Sequence, residues 1–411
     1  MKQNLFHAAG RVLAAVALTL IVTLMLTPAA RGATEKVIHT FVSDTDGSGP
    51  AFGLILDAAG NLYGARGSGG AYGHGTVFQL VPNPDSTWTF NVIHHFTGGE
   101  DGDNPGWGKL AIDAAGDLYG ATYSGGLYGM GVFFMMAPNP DGTWTENILH
   151  QFTGGDDGGY PEGTPIFDSA GNIYSTATWN GVIFMLSPNP DGSWTENVLY
   201  EFGFGSDQPW AGVVFDASGN LYGTTRYGAY DHGTLFELTP NLDGTWSRTV
   251  LHNFTGGQDG ADPSVAGLTF DPAGNLFGIT ERGGIAACGD GCGTVFEMTP
   301  DLRGHLIYSF TGRRDGGHSN GPIVFDASGS MYAAPWYGGA HGFGVVDKAT
   351  PCSGKHPDCT GWQKSVLYSF KGGNDGASPV LGVTIDSAGN VYGVTTAGGA
   401  NNVGVIYEIT Q

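Results

Sequence analysis

Positive charge is what this chain lacks most. Lysine and arginine together number 16 against 38 aspartates and glutamates, a formal net charge of −22. An acidic surface repels phosphate backbones and anionic lipid heads, which argues against nucleic acid and membrane surfaces as partners. It also leaves few cations for oxyanion or phosphate stabilisation. No H-E-x-x-H pair and no P-loop is present. Cysteine is scarce: the only four fall as two close pairs, Cys288/Cys292 and Cys352/Cys359. Such pairs in an exported chain read as two loop-stapling disulfides. A zinc site would need the four brought together, and the strand order derived below puts the pairs on opposite faces.

Long apolar runs are missing as well, with one exception, "VLAAVALTLIVTLMLTPAA". Lys2 and Arg11 precede its bulk, and Ala29, Ala30, Gly32 and Ala33 supply small residues at its end. That layout is a secretory signal covering residues 1–33, cut near 30–33. The other reading is an uncleaved anchor, for which the apolar stretch is short. Export to the periplasm, cell surface or exterior follows from the signal. The remainder, 34–411, is expected to be a soluble monomer with no membrane contact after signal removal.

Glycine, by contrast, is abundant, at 72 residues without a collagen-like period, and hydrophobic residues at 41% exclude a disordered polar chain. With many aromatics and β-branched residues this composition points to turn-rich β structure. The phrase "FDASGNLYGTT" at Phe215–Thr225 returns with small changes along the whole chain. Its aspartate recurs at Asp57, Asp113, Asp168, Asp216, Asp271, Asp326 and Asp386, with gaps of 56, 55, 48, 55, 55 and 60 residues. A period of this size suits a propeller blade of four short strands.

Each unit reads as strands A to D, as in "GVVFD", "NLYGTT", "GTLFELTP" and "RTVLHNF" between Gly212 and Phe254. The Asp-x-x-Gly-Asn turn joins A to B, with the carboxylate accepting backbone N–H groups. Strand D occurs seven times, first as "VIHTF" at 37–41, before any strand A. The seventh unit has A, B and C only, ending in "GVIYEIT". The N-terminal strand therefore closes the last blade and hides a sheet edge. The expected fold is all-β: one seven-bladed β-propeller domain of four-stranded antiparallel blades.

The segment "FDASGNLYGTTRYGAYDHGTLFELTPNLDGTW", followed by "VLHNFTGGQDGADP", resembles the gloeo/verruco (GloVer) tandem repeat of exported bacterial proteins. The A–B phrase is also similar to the blade motif of NHL-type and streptogramin-lyase-like propellers. The resemblance implies export and a propeller-like array, and it implies no reaction.

Strand direction separates two faces. The A–B and C–D loops lie on one and are stereotyped. The D–A and B–C loops lie on the other and vary, from "TWN" at 178–180 to "ERGGIAACGDGCG" at 281–293. Variable loops on a rigid ring are where recognition sits. The turn aspartates read as turn caps. The "GGxDG" set (Asp101, Asp157, Asp259 and Asp375, with Asp46, Asp207 and Asp315 as looser equivalents) has two readings: an acidic mouth for Ca²⁺, or Asp-Gly turns. His39, His94, His150 and His252 exchange with tyrosine at one strand-D position and read as fillers with a polar tip, on separate strands too far apart to share an ion.

Trp88, Trp144, Trp194, Trp246 and Trp362 open strand D and belong to the repeat, whereas Trp107, Trp179, Trp210 and Trp336 break it on the variable face. Blade 3 has the shortest B–C loop, so Trp107, Trp179 and Trp210 are expected around a notch there, with Tyr160, Asp157, Glu162 and Asp207. Aromatic faces beside carboxylates suit sugars; loop packing is the plain alternative. No residue is assigned a catalytic role and no cofactor is required, Ca²⁺ being the one candidate. The expected function is non-catalytic binding of a glycan or extracellular protein through the variable face. The alternatives are a carbohydrate-active or lactonase-like enzyme with carboxylates at the channel mouth, and a structural envelope component.

Overall fold

A computed structural model describes residues 33–203, 205, 207–263, 267–285, 288–352 and 361–411. The leader expected over 1–33 lies outside these residues, apart from Ala33. Seven antiparallel sheets form the ring. Blade 1 runs Ser48–Leu56, Leu62–Ser68, Thr76–Pro82, Trp88–His95, and the others follow the same A-B-C-D order. In blade 7 the outer strand is Thr34–Thr40, paired antiparallel with Val405–Thr410 through Val37↔Tyr407 and Thr34↔Thr410. The ends of the described chain close the ring as the strand offset requires.

The repeated phrase builds the inner hairpin. Asp57 accepts from Ala59 N at 2.9 Å, Asn61 N at 2.8 Å, Asn61 Nδ2 at 2.7 Å and Tyr63 Oη at 3.0 Å. Asp168 and Asp386 repeat the arrangement. The glycine after Leu-Tyr leaves room for the strand-C phenylalanine: a Cβ on Gly223 would stand 2.5 Å from the Phe236 ring. Those rings form the core between neighbouring sheets, with Phe78, Phe134, Phe184 and Phe236 wholly buried.

Strand D carries a feature the pattern did not announce. In every blade its register slips by one residue just before the His/Tyr position, as between Ile148 and His150 or Val37 and His39. This β-bulge increases the local twist. It brings His150 edge-on to Phe152 with ring centroids 4.7 Å apart, and Phe152 is fully buried. The repeat tryptophans pack between blades: Trp144 meets Tyr63 edge-on at 6.0 Å and Trp88 meets Tyr392 at 5.8 Å.

Strand A is shorter than its apolar run suggests. In blades 4 and 6 only Val214–Phe215 and Val324–Phe325 pair in the sheet. Strands A touch between blades 1 and 7, 4 and 5, and 6 and 7, so they crowd the axis. Blades 2 and 3 add short strands Asp103–Pro105 and Gly159–Pro161 at the other end of strand B.

Candidate functional site

Cys288 and Cys292 form a disulfide within a B–C loop. Cys352 is also disulfide-bonded; Cys359 lies outside the described residues.

The D–A loops enter the ring through a residue held at positive φ. It is Asn104 in blade 2 (59°), Tyr160 in blade 3 (52°), Asp262 in blade 5 (54°), His318 in blade 6 (56°) and Ser378 in blade 7 (56°). This sparsely populated backbone region is held by an inter-blade hydrogen bond. Tyr160 N donates to Met130 O at 2.8 Å, Asp262 N to His232 O at 3.1 Å and His318 N to Cys292 O at 2.9 Å. Non-repeating side chains are thus set at equivalent points around the mouth.

In blade 3 this device meets the shortest B–C loop. Asn180 and Gly181 both take φ of 62°, the left-handed pair of a two-residue hairpin turn that Asn-Gly favours. The loop stays low and leaves a hollow of about 290 Å³. Its walls are Trp107, Tyr123, Tyr160, Trp179 and Trp210, and Glu162, Thr178 and Gln208 complete the lining. Tyr123 stacks on Tyr160 at 4.6 Å with ring planes 12° apart, and Tyr160 meets Trp179 edge-on at 5.8 Å. The indole N–H groups are engaged: Trp179 Nε1 donates to Gly154 O at 3.1 Å and Trp210 Nε1 to Gln208 Oε1 at 3.3 Å. The Arg226 guanidinium lies 4.1 Å from the Trp210 ring centroid, a cation–π contact.

Glu162 is the one carboxyl in the lining. It is 7% exposed, and Thr178 Oγ1 donates to it at 3.5 Å. Burial pushes its pKa up to about 8, against the opposing effects of the Thr178 hydrogen bond and the Arg226 charge. Near neutrality the group is therefore largely a protonated acid that can donate a hydrogen bond. Behind the hollow a channel cavity of about 420 Å³ shares Trp107, Glu162 and Trp210 with it. Its wall is mostly apolar strand-A surface, crossed by buried Lys109, whose Nζ donates to Val383 O at 3.5 Å. Burial lowers the Lys109 pKa to about 8.

Of the expected notch residues, Trp107, Trp179, Trp210, Tyr160 and Glu162 come together. Asp157 and Asp207 do not line the hollow. Asp157 turns back on its own blade, accepting from Thr153 N at 2.8 Å and meeting His150 Nε2 at 3.2 Å. Asp207 pairs with Arg248 at 2.6 Å. For Asp157 the cause is the spacing of seven between the strand-D His/Tyr position and the loop aspartate, which folds the one onto the other, as His252 meets Asp259 at 3.1 Å and Tyr308 donates to Asp315 at 2.7 Å; Asp207 is drawn off by the Arg248 cation of the next blade. The GGxDG aspartates thus sit one per blade in Asp-turn geometry. Trp336 lies elsewhere on the mouth, beside His318 at 5.4 Å. Sequence reasoning missed Tyr123, Thr178 and Gln208. Tyr123 and Thr178 lie at the ends of strands B and look like repeat positions, whereas Gln208 precedes Pro209 and so shares the equivalent loop point. It also passed over a G-x-S-x-G spacing at Gly317–Gly321, whose Ser319 hydroxyl is buried and, among the described residues, has no hydrogen-bond partner.

Fold and site together define a seven-bladed β-propeller whose non-repeating loops build an aromatic hollow beside the channel mouth. The chain belongs to the Gloeobacter/Verrucomicrobia repeat family, whose profile matches residues 22–207 and 287–411. No curated protein matches it in sequence. Among solved structures it is similar to virginiamycin B lyase from Staphylococcus aureus, with a TM-score of 0.55, 11% identity, and 92% of this chain and 99% of that one covered. Hydrazine synthase from Kuenenia stuttgartiensis gives 0.56 and 12%, covering 89% and 96%. A putative 6-phosphogluconolactonase from Bacteroides fragilis gives 0.52 and 15%, covering 82% and 87%. At these identities the likeness is one of fold, and a propeller fold hosts unrelated chemistries.

Proposed function

We propose that the protein is an exported propeller that binds a saccharide in the blade-3 hollow without transforming it. The observation that carries this reading is the convergence of five aromatic side chains on a small hollow with one neutral carboxyl. Aromatic faces suit the C–H faces of a sugar ring, and Glu162, Thr178 and Gln208 suit its hydroxyls. The volume lies near the lower end for small-molecule sites, roughly 300 Å³. Glycoside hydrolysis generally needs two flanking carboxyl groups, and the lining offers one. Export is supported by the leader pattern, by the disulfide and by the family. Among the described residues no helix is long and apolar enough to cross a membrane.

Glycan-array retention of the wild-type protein is expected to fall at least tenfold in Trp179→Ala/Trp210→Ala, while near-UV circular dichroism and melting temperature show a folded ring. Undiminished retention by the folded variant would discard the hollow as the binding site.

A further inference from the structure

The outer rim holds a second set of convergent groups, at the seams between blades. At each seam the strand-D His/Tyr and its loop aspartate face a residue on strand D of the next blade. That residue lies four places before the next blade's own His/Tyr. Two seams put a cation there. Arg248 Nη2 stands 2.6 Å from Asp207, and Lys364 Nζ lies 4.0 Å from Asp315 and 2.8 Å from Asp347. At the His39 seam Phe90 stacks on the imidazole at 3.8 Å.

At the seam between blades 1 and 2 that residue is Glu146, facing His94 and Asp101. Glu196 and Glu35 hold the same place beside Asp157 and Asp375, and what sets the Glu146 seam apart is its open geometry. His94 Nε2 lies 3.5 Å from Asp101 Oδ2 and 3.7 Å from Glu146 Oε2. The three ligand atoms all lie within 4.8 Å of one another. The same His–Asp pair is closed elsewhere, to 2.9 Å at His39–Asp46 and 3.2 Å at His150–Asp157. At this seam His94 Nε2 and Glu146 Oε1 are shut off from solvent and, among the described residues, no group comes within good hydrogen-bonding geometry of either. A buried ring nitrogen without a partner costs free energy. Its separation from the two carboxylates is close to the ligand spacing around tetrahedral zinc, about 3.3 Å for bonds of about 2.0 Å.

We propose that His94, Asp101 and Glu146 bind one divalent transition-metal ion, Zn²⁺ or a close relative, and so clamp blade 1 to blade 2. One imidazole with two carboxylates suits zinc, whereas Ca²⁺ takes six to eight oxygen ligands. The ion supplies the positive charge that Arg248 and Lys364 supply at their seams. Among the described residues no other set of three metal-capable side chains is this compact.

The test is calorimetric titration of ZnCl₂ into full-length protein previously dialysed against chelator, read beside melting temperature. One ion per chain and a raised melting temperature are expected, since a ligand of the native state stabilises it. His94→Gln and Glu146→Gln should each weaken zinc at least tenfold and abolish the thermal shift. His252→Gln, at the equivalent position of another seam, should leave both unchanged. Glu146→Gln keeps the shape of the side chain, so it should fold as the parent does. Absence of stoichiometric zinc in the parent, or equal binding by Glu146→Gln, would overturn the proposal.

Discussion

At the scale of single residues, burial outweighs neighbouring charge. Glu162 is pushed up to about 8 chiefly by burial, from an ordinary 4.5. Between those values the unfolded chain releases a proton that the native chain keeps. Its contribution to stability is therefore full below about 4.5 and is lost as pH rises toward 8. Glu196 and Asp347, each raised to about 7 mainly by burial, act in the same direction. Replacing Glu162 with Gln should make the fall in melting temperature from pH 5 to pH 8 shallower without removing it; parallel curves for parent and variant would contradict the buried-acid assignment. Glu162 was legible as a candidate because it lies in the segment entering strand A of blade 3, beside the expected notch. Asp157 and Asp207 looked equally suitable, and only the assembled ring shows why they are occupied elsewhere: the bulged strand D aims His150 at Asp157, and Arg248 of the next blade takes Asp207.

At the scale of elements, the hollow depends on a two-residue turn. Gly181 has φ of 62°, and a Cβ there would meet Phe202 Cβ at 3.1 Å and Asp207 O at 3.2 Å. Gly181→Ala should cost about 1–2 kcal/mol from the left-handed backbone alone and weaken saccharide retention by displacing Trp179. Urea unfolding and array binding report the two effects separately. The repeat phrase made strands B, C and D and their turns readable, because hydrophobic alternation and Asp/Gly chemistry are local. Strand A was overestimated, because its pairing is limited by the neighbouring A strands around the axis, and no local pattern records that crowding.

For the molecule as a whole, ring closure is the decisive contact. Phe41, at the end of the N-terminal strand, is wholly buried in the core cluster with Leu54, Phe78 and Ile406. The Arg66 guanidinium lies 4.1 Å from its ring centroid. Phe41→Ala should cost about 3–5 kcal/mol, the usual range for emptying a phenylalanine site. Denaturant titration followed by tryptophan fluorescence would detect it; a loss below about 1 kcal/mol would mean that this strand is not integral to the ring.

Taken alone, the order of residues determined the blade count, the strand offset that closes the circle, the two-sided distribution of loops and the repeat-breaking tryptophans. These follow from periodicity and from turn preferences that act within a few residues. Which side chains meet across blades was decided only by the assembled ring. Tyr123, Tyr160 and Trp179 come from neighbouring sheets, as do His94 and Glu146. Their approach depends on inter-blade packing and on one-residue slips in strand D, neither of which leaves a local trace.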